Sequence, residues 1–237
     1  MLKYSKLLVV ALLMPPAIAS AQVFNYDFSG INAAIPDGDS SGLVNAQSIS
    51  AAPNLTIAEL KVTLSISGTG LGGFNGDLYV TLQHDDGFSI LLNQPGARSG
   101  TAFGYGDSGL NVTFDDAAAG DVHVYRQVLN GDHTTPLTGN LTGTWSPDAR
   151  TADPSVVQDT SARNAFLNSF NGVPLGGTWS LFVTDLSSGG TQQLDGWGLQ
   201  IVAVPEPASA ACAVALALLG FACCRRLSSR GSIHGQR

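Results

Sequence analysis

The sequence predicts an all-β domain, folded as an antiparallel sandwich or barrel, in the middle of the chain. In several short segments apolar and polar residues alternate with a period of two, which is typical of strands with one buried face. Clusters of Gly, Asn and Asp separate these segments, and such clusters form the turns between antiparallel strands. Together the two observations indicate about seven or eight short strands in two packed layers.

The alternation is clearest in four segments, namely residues 60–67, 78–83, 179–183 and 197–201. Trp179 and Trp197 lie on the apolar side of their segments, so we expect both rings in the core. Weaker strands are predicted at residues 88–92, 110–114 and 122–128.

The stretches between the strands are predicted to lie at the surface. Residues 130–159 are rich in Thr, Gly, Pro and Asp, a composition typical of a long surface loop. A short helix is predicted within residues 160–170, because Ala162, Phe166 and Phe170 recur at helical spacing. Four aromatic side chains are expected to point outward, where they could stack on sugars or partners: Tyr79, Tyr105, Tyr125 and Phe182.

The amino-terminal residues have the three parts of a secretory signal peptide. Lys3 and Lys6 precede a short apolar run at residues 7–18, and small residues follow at Ala19 and Ala21. This order predicts cleavage by signal peptidase after Ala21. A membrane anchor is the alternative, but the run is too short to span about 30 Å of hydrocarbon.

The carboxyl-terminal residues combine a Pro-Glu-Pro triplet, an apolar segment and a basic end. Pro205, Glu206 and Pro207 precede an uncharged apolar segment of seventeen residues, and Arg225 and Arg226 follow it. The apolar segment predicts a single transmembrane helix near the lower length limit for crossing a bilayer. The arginines are expected to remain on the cytoplasmic side of that membrane.

This three-part end resembles the PEP-CTERM sorting signal. The resemblance implies recognition by an exosortase in the inner membrane and cleavage near residues 205–207. The mature protein would then be released or transferred to the cell surface or extracellular matrix. A permanent tail anchor is the alternative interpretation. The expected organisation is a signal peptide at 1–21, a lead-in at 22–34, the β-domain at 35–203 and the sorting tail at 204–237.

Removal of both ends would change the charge of the protein. The complete sequence has 11 basic and 18 acidic residues, whereas residues 22–204 have 5 basic and 17 acidic residues and a formal charge of −12. This balance argues against nucleic acid as a ligand, because phosphate contacts require clustered Lys and Arg. It favours cations or basic partners. All three cysteines lie in the tail, so we expect no disulfide in the domain.

Aspartates in the predicted turns are candidate ligands for calcium, a hard cation that takes six to eight oxygen ligands. The adjacent Asp115 and Asp116 are the strongest candidates, and Asp77, Asp185 and Asp195 are the others. The sequence contains no EF-hand loop and no RTX repeat. An Asp at a strand end can also cap a turn through its side chain. Calcium binding and turn capping therefore both remain open for these residues.

The residues of the domain form no recognisable catalytic motif. A serine hydrolase needs a nucleophile, a base and an orienting acid, and the sequence lacks a subtilase-like Gly-Thr-Ser segment. His84 is predicted in a solvated turn beside Asp85 and Asp86, and His123 on the surface of a strand. Adjacent carboxylates on a strand point to opposite faces and need not converge as an acid–base pair. We therefore expect no catalytic residues and no enzyme activity.

A second resemblance covers most of the central domain. Its ordered motifs are Gly76-Asp77-Leu78, Phe114-Asp115-Asp116, Gly177-Thr178-Trp179, Val183-Thr184-Asp185 and Asp195-Gly196-Trp197. This series resembles the P domain, or Homo B domain, that follows the catalytic domain in subtilisin-like proprotein convertases. The resemblance implies a jelly-roll sandwich, bound calcium and a role beside a protease. The chain departs from the family at Ser67-Gly68-Thr69, and the residues before Ile35 leave no room for a protease domain.

From these observations we expect a non-catalytic cell-surface or matrix protein whose sandwich binds calcium and an envelope protein or exopolysaccharide. Its processing would involve signal peptidase, an exosortase and, transiently, the inner membrane. One alternative is an accessory P domain that stabilises a separate subtilisin-like protease. A further alternative is a hydrolase whose type the sequence does not reveal.

Overall fold

The strands of the domain form two sheets with the core between them. The structure, a computed structural model, describes residues 20–51, 54–69, 72–101 and 103–206. Nine strands occur within these residues: β1 Gln22–Ile35, β2 Leu43–Ile49, β3 Leu55–Thr69, β4 Leu78–His84, β5 Gly87–Asn93, β6 Leu110–Phe114, β7 Leu141–Trp145, β8 Gly177–Asp185 and β9 Thr191–Pro205. The helical elements are short: α1 at Tyr125–Asn130 and 3-10 helices at Asn75–Asp77, Val122–Val124, Pro154–Val156 and Leu167–Phe170.

The strand order confirms the predicted all-β sandwich. It is β1-β9-β3-β6-β7 in the five-stranded sheet and β2-β8-β4-β5 in the four-stranded sheet. The pairs β1–β9, β3–β6, β2–β8, β4–β8 and β4–β5 are antiparallel, as expected. The pair β6–β7 is parallel, so a long connection with α1 and a 3-10 helix must return the chain to the same end of the sheet.

Inward side chains of both sheets join in one hydrophobic cluster. The predicted core residues Trp179 and Trp197 are buried in it, which confirms that assignment. Phe170 stacks on Trp179 with ring centroids 5.3 Å apart, and Phe28 packs on Trp197 at 4.6 Å. Burial of one large apolar side chain contributes about 1.5–3 kcal/mol. A core of this kind can stabilise the domain without disulfides, and residues 22–204 contain no cysteine.

Residues 122–128 form helical turns, so the strand predicted there is wrong. The Asp121 side chain accepts a hydrogen bond from the backbone N–H of His123 at 3.0 Å, and this cap begins the 3-10 helix. The chain continues into α1, which ends where Gly131 adopts a φ of 79°. Val122 and Tyr125 are both fully buried. The residues that reach the core are therefore three apart, as in a helical turn, and not two apart.

Residues 130–159 are a surface loop only in part, because they also contain β7 and a buried segment that covers β5. Asp148 and Ala149 are fully buried. Their backbone N–H groups donate to the carbonyl oxygens of Leu91 and Ile90, at 3.1 and 2.9 Å respectively. The segment thereby satisfies the outer edge of β5, a role that its composition does not reveal.

The helix predicted within residues 160–170 is also wrong, except for the 3-10 turn Leu167–Phe170. The carbonyl oxygen of Ala165 accepts a hydrogen bond from the N–H of Ile90 at 3.0 Å. A backbone group that a helix would use internally is thus bonded to β5. Phe170, one of the residues at helical spacing, is instead buried beside Trp179.

The segment Ala21–Val204 is one compact unit that contains the core and both sheets. A fragment of these residues therefore keeps every core side chain. Residues 22–34, expected as a lead-in, form most of β1. The predicted signal peptide, with Ala19, and the tail from Pro207 through Arg225 and Arg226 lie outside the described residues. In the part that the structure describes, no helix is long and apolar enough to cross a membrane.

Candidate cation site

Asp77 and Asp185 lie together at one end of the four-stranded sheet. Asp77 is the last residue of the 3-10 helix that leads into β4, and Asp185 is the last residue of β8. Leu78 is the register partner of Asp185, and the N–H of Leu186 donates to the carbonyl oxygen of Asp77 at 2.9 Å. Only 7% of Asp77 and 1% of Asp185 is exposed. Folding therefore places two carboxyl groups together in a region with little water.

Both carboxyl groups release their protons less readily than free aspartates do. Burial is the main cause that raises the pKa of Asp185 to about 6, and the charges of Asp77 and Asp37 add to this shift. The N–H of Ser187 opposes the shift through a hydrogen bond to Asp185. Burial likewise raises the pKa of Asp77, and Asp37 contributes again. None of the ion pairs among the described residues includes these three aspartates.

This chemistry fits a hard cation. Calcium takes carboxylate, carbonyl and water oxygens, and a positive charge would offset the repulsion and burial that raise the pKa of Asp185 and Asp77. The described residues contain no group of three or more His, Cys, Asp or Glu side chains that could hold a metal. A cation held by these two carboxylates would need carbonyl, hydroxyl or water oxygens as its remaining ligands.

Asp115 and Asp116, the strongest candidates from the sequence, both bind protein groups. Asp115 Oδ2 lies 2.7 Å from Lys61 Nζ, and this hydrogen-bonded pair lowers the pKa of Asp115. Asp116 accepts hydrogen bonds from the N–H groups of Leu167 and Asn168, at 3.0 and 2.7 Å. It thereby satisfies the free N–H groups at the start of a 3-10 helix. Their partners leave these two side chains less suited to a cation than Asp77 and Asp185.

Asp195 is on β9 and bonds to the side chains around it. Its Oδ1 accepts from Ser67 Oγ at 2.8 Å and from Gln193 Nε2 at 2.9 Å. Its Oδ2 accepts from Ser65 Oγ at 3.4 Å. The carboxylate therefore ties β9 to β3. The five predicted ligands do not converge on one point, and the structure brings together only Asp77 with Asp185 and Asp115 with its chain neighbour.

Comparisons with known proteins give little further information. No family model matches the chain, and no curated protein is significantly similar to it. Among solved structures, the crystal structure of an Aeromonas sobria serine protease with the chaperone ORF2 is similar, with a TM-score of 0.39 and 16% identity. The similarity covers 80% of this chain and 28% of that chain. This chain thus spans less than a third of the length of its structural neighbour.

His84 is buried, contrary to the prediction of a solvated turn. Its ring stacks on Trp179 with centroids 4.2 Å apart and an angle of 10° between the planes. Nδ1 lies 3.0 Å from the carbonyl oxygen of Thr178, and Nε2 lies 2.7 Å from that of Pro174. His84 therefore links the end of β4 to the segment that enters β8. Its neighbour Asp85 marks the actual turn, with a positive φ of 46°.

His123 is buried as well, and the predicted surface position is wrong. Nδ1 lies 2.7 Å from Oδ2 of Asp148, and Nε2 lies 2.8 Å from the carbonyl oxygen of Ala97. Arg150 contacts the other carboxylate oxygen of Asp148 at 3.1 Å and reaches Asp121 at 2.8 Å. These groups form a buried charged network that joins three loops. The sequence provides no signal for it, because its members lie in segments of unrelated composition.

Asp107 is the centre of a second network that the sequence did not predict. Arg126 binds it through Nε at 2.7 Å and Nη2 at 2.9 Å. The hydroxyl of Tyr125 donates to it at 2.6 Å, and the N–H of Leu137 at 2.8 Å. Burial raises the pKa of Asp107, but these hydrogen bonds outweigh it and hold the pKa below its usual value. The network fixes α1 and the segment that follows it.

Two of the four aromatic side chains expected at the surface belong to this network. Tyr125 is fully buried, and Tyr105 is 2% exposed beneath the guanidinium of Arg126, 4.8 Å from the ring centroid. Burial raises the pKa of Tyr105 to about 12. Tyr79 and Phe182 are half-buried, with their ring centroids 6.4 Å apart. Of the four aromatic side chains, only Tyr79 and Phe182 therefore have exposed surface on which a sugar could stack.

Proposed function

We propose that this chain is an exported, non-catalytic cell-surface or extracellular-matrix protein whose β-sandwich binds calcium at Asp77 and Asp185. One observation supports the cation site above the others. Two nearly inaccessible carboxyl groups lie side by side, and no ion pair among the described residues includes them. Burial of an uncompensated charge is unfavourable, and a bound cation removes that cost.

Calcium is the cation that suits these residues best. The candidate donors are oxygens, and residues 22–204 contain no cysteine that would favour zinc. Magnesium requires a strict octahedral arrangement, whereas calcium accepts irregular sets of carboxylate and carbonyl oxygens. Asp77 precedes β4 and Asp185 ends β8, so binding would hold the ends of two central strands together. The chain between Asp185 and β9 would become more rigid as a result.

The sequence at the two ends supports export and sorting. The signal peptide would be removed after Ala21, and an exosortase would process the tail near Pro205 and Pro207 at the inner membrane. The remaining domain carries 5 basic and 17 acidic residues. This acidic domain would act by binding, with an envelope protein or an exopolysaccharide as its partner. A basic surface on that partner is favoured by the charge balance.

A second candidate function rests on the series of motifs that resembles the P domain. Those motifs include Leu78, Trp179 and Trp197, which belong to the shared core of the two sheets. The resemblance therefore extends over the residues that determine the packing of the sandwich, and it supports a jelly-roll arrangement. In this case the domain would stabilise a separate subtilisin-like protease. Co-purification of such a protease with the exported protein would favour this function over a matrix role.

Thermal unfolding of the fragment Ala21–Val204 tests the calcium site. Calcium at a hundred times its dissociation constant stabilises a protein by about 2.7 kcal/mol. For a domain of this size the midpoint should rise by roughly 5–11 °C between chelator and calcium. Magnesium at the same concentration is the matched ion control. An unchanged midpoint would exclude calcium as part of the mechanism.

Two double variants locate the site. Asp77→Asn with Asp185→Asn should abolish the calcium-dependent rise in midpoint. Asp115→Asn with Asp116→Asn should retain that rise, although the second variant is less stable at the outset because it loses the Lys61 ion pair and the helix cap. A rise that survives only in the first variant would move the site to Asp115 and Asp116.

A further inference from the structure

The outer edge of β1 is open, whereas the edge of β5 is covered. β1 pairs with β9 on one side, and no strand pairs with its other side among the described residues. On β5, the edge groups of Ile90 and Leu91 bond to the segment that contains Asp148 and Ala165. The remaining edge strands, β7 and β2, have five and seven residues, whereas β1 has fourteen. β1 is therefore the longest unpaired edge in the described structure.

The side chains of β1 do not protect this edge. Long edge strands in monomeric proteins are usually interrupted by Lys or Pro, but Asp27 is the only charged residue of β1. Phe24, Tyr26 and Phe28 are partly buried and pack against the core, with their remaining surface at the rim of the sheet. The outward side chains on the other face are exposed. An added strand would extend the sheet and cover the rest of the three aromatic rings.

The regular part of β1 has a centre of symmetry at Tyr26. The register with β9 shifts between Ser29 and Ala33, where Gly30 and Asn32 have positive φ values of 70° and 48°. This bulge limits the straight part of the strand to residues 22–29. Within it, Phe24 and Phe28 lie two residues on either side of Tyr26.

We propose that a second copy of this chain pairs with β1 in antiparallel orientation, centred on Tyr26. Tyr26 of one copy would then lie opposite Tyr26 of the other, and Phe24 opposite Phe28. Aromatic pairs of this kind stabilise antiparallel strands. Asn25 would lie opposite Asp27, so that the carboxylate faces an amide donor. The proposal uses the same surface on both copies, as a two-fold dimer requires, and it is independent of calcium binding or sorting.

The neighbouring registers are less favourable. A pairing centred on Asp27 would place two carboxylates directly opposite each other, which is destabilising. A pairing centred on Asn25 would place Phe28 opposite Gln22 and leave the third aromatic pair incomplete. Registers shifted by one residue would bring core-facing side chains opposite solvent-facing ones. The pattern of β1 thus selects a single arrangement.

The acidic surface of the domain gives the dimer a characteristic salt dependence. Each copy carries a formal charge of −12 over residues 22–204, so the two copies repel each other at low ionic strength. The screening length falls from about 10 Å at 0.1 M salt to about 3 Å at 1 M salt. Self-association should therefore strengthen with salt. A basic partner would show the opposite dependence.

Sedimentation equilibrium of the fragment Ala21–Val204 tests the proposal. We expect a reversible monomer–dimer equilibrium that shifts towards the dimer at 1 M NaCl. Asn25→Lys places an opposite charge against Asp27 twice in the dimer and should tighten the dissociation constant about 2- to 30-fold. Asn25→Asp places like charges there and should weaken it by a similar factor. Asn25 is exposed, so neither change removes a core contact.

Thr144 on β7 provides the matched control, because it is exposed at the opposite edge of the same sheet. Thr144→Lys and Thr144→Asp change the net charge by the same amounts as the Asn25 variants. We expect the Thr144 variants to change the dissociation constant less than the Asn25 variants do. If the Thr144 and Asn25 variants change it equally, net charge alone controls association, and that result would overturn the pairing. A fragment that stays monomeric at every concentration and salt level would also overturn it and leave the edge to a different chain.

Discussion

Nδ1 of His123 lies 2.7 Å from Oδ2 of Asp148, and neither side chain is exposed. The second oxygen of the carboxylate contacts Arg150, and the N–H of Asn93 donates to the same oxygen as His123. Asp148 therefore bonds its own segment to two other parts of the chain, β5 at Asn93 and the 3-10 helix at His123. Because it is fully buried, its charge is compensated only by these neighbours. The network holds these segments together at the covered edge of β5.

Asp148→Asn should destabilise the domain strongly. The substitution leaves Arg150 without one of its two carboxylate partners, and the single amide oxygen of Asn cannot accept from both Arg150 and His123. Breaking a buried charged pair costs about 3–5 kcal/mol. Urea unfolding measures this change in the free energy of unfolding. The control is Asp153→Asn, whose carboxylate bonds to Ser155 at an exposed turn and should leave the midpoint unchanged. Equal midpoints for both variants would refute the role of the network.

The pH dependence of calcium-free stability should reveal the raised pKa of Asp185. A free aspartate has a pKa of about 3.9, whereas Asp185 has a pKa of about 6 in the folded protein. Between these values the folded state binds more protons than the unfolded state, so this group lowers stability as pH rises from about 4 to 6. Other carboxylates, such as Asp107, have lowered pKa values and act in the opposite direction.

Asp185→Asn isolates this contribution because the amide does not ionise. Thermal midpoints of the two proteins should be similar near pH 4 and should diverge up to about pH 6–7. At neutral pH the variant should be more stable than the natural chain by up to about 3 kcal/mol without calcium. A variant that is less stable at neutral pH would mean that the Asp185 carboxylate is stabilised by its surroundings.

Asp116→Ala should cost about 1 kcal/mol through loss of a helix cap. Its carboxylate accepts from the N–H groups of Leu167 and Asn168, which precede the buried ring of Phe170. Chemical denaturation measures the loss, with Asp86→Ala in an exposed turn as control. If the two variants have the same stability, the cap has no energetic role. Because Asp116 bonds to N–H groups at the helix start, we expect its replacement to leave the calcium-dependent rise in midpoint unchanged.

Gly87→Ala should destabilise the domain by about 1–3 kcal/mol because the site has no space for a methyl group. An added Cβ would lie 2.2 Å from the ring of Phe170, which is fully buried against Trp179. Gly139→Ala is the matched control, since a Cβ added there would meet no atom within 4 Å beyond its chain neighbours, and the φ of Gly139 is not positive. Similar unfolding midpoints for these variants would show that the Phe170 ring can move aside.

The central strands of the fold and the covered edge strand β5 could be predicted from the sequence, whereas the edge strands β1, β2 and β7 could not. Strands β3, β4, β8 and β9 have one strictly apolar face, because that face lies in the core. The edge strand β1 has the same alternation in Phe24, Tyr26 and Phe28, but its side chains are only partly buried. β2 consists of small and polar residues between a few apolar ones. A half-exposed strand carries a weaker pattern, and both were missed.

The candidate site shows a different limit. Asp77 and Asp185 each have the sequence context of an ordinary aspartate at a turn, which fits a metal ligand and a turn cap equally well. Their proximity depends on the register between β4 and β8, which pairs Leu78 with Asp185. No local pattern encodes a contact between residues so distant in the chain. The adjacent pair Asp115 and Asp116 attracted the stronger prediction, although Lys61 and a helix start occupy it.

The pairing of Gln22 with Ala203 has a mechanical consequence. β9 carries the carboxyl end of the domain and lies between β1 and β3. A pulling force applied at that end loads a strand that is bonded on both sides, so extraction must break two ladders of hydrogen bonds. An edge strand in the same position could be peeled away one bond at a time. Tension on the carboxyl end would therefore act on a strand that is paired on both sides, with the amino end of the domain directly beside it.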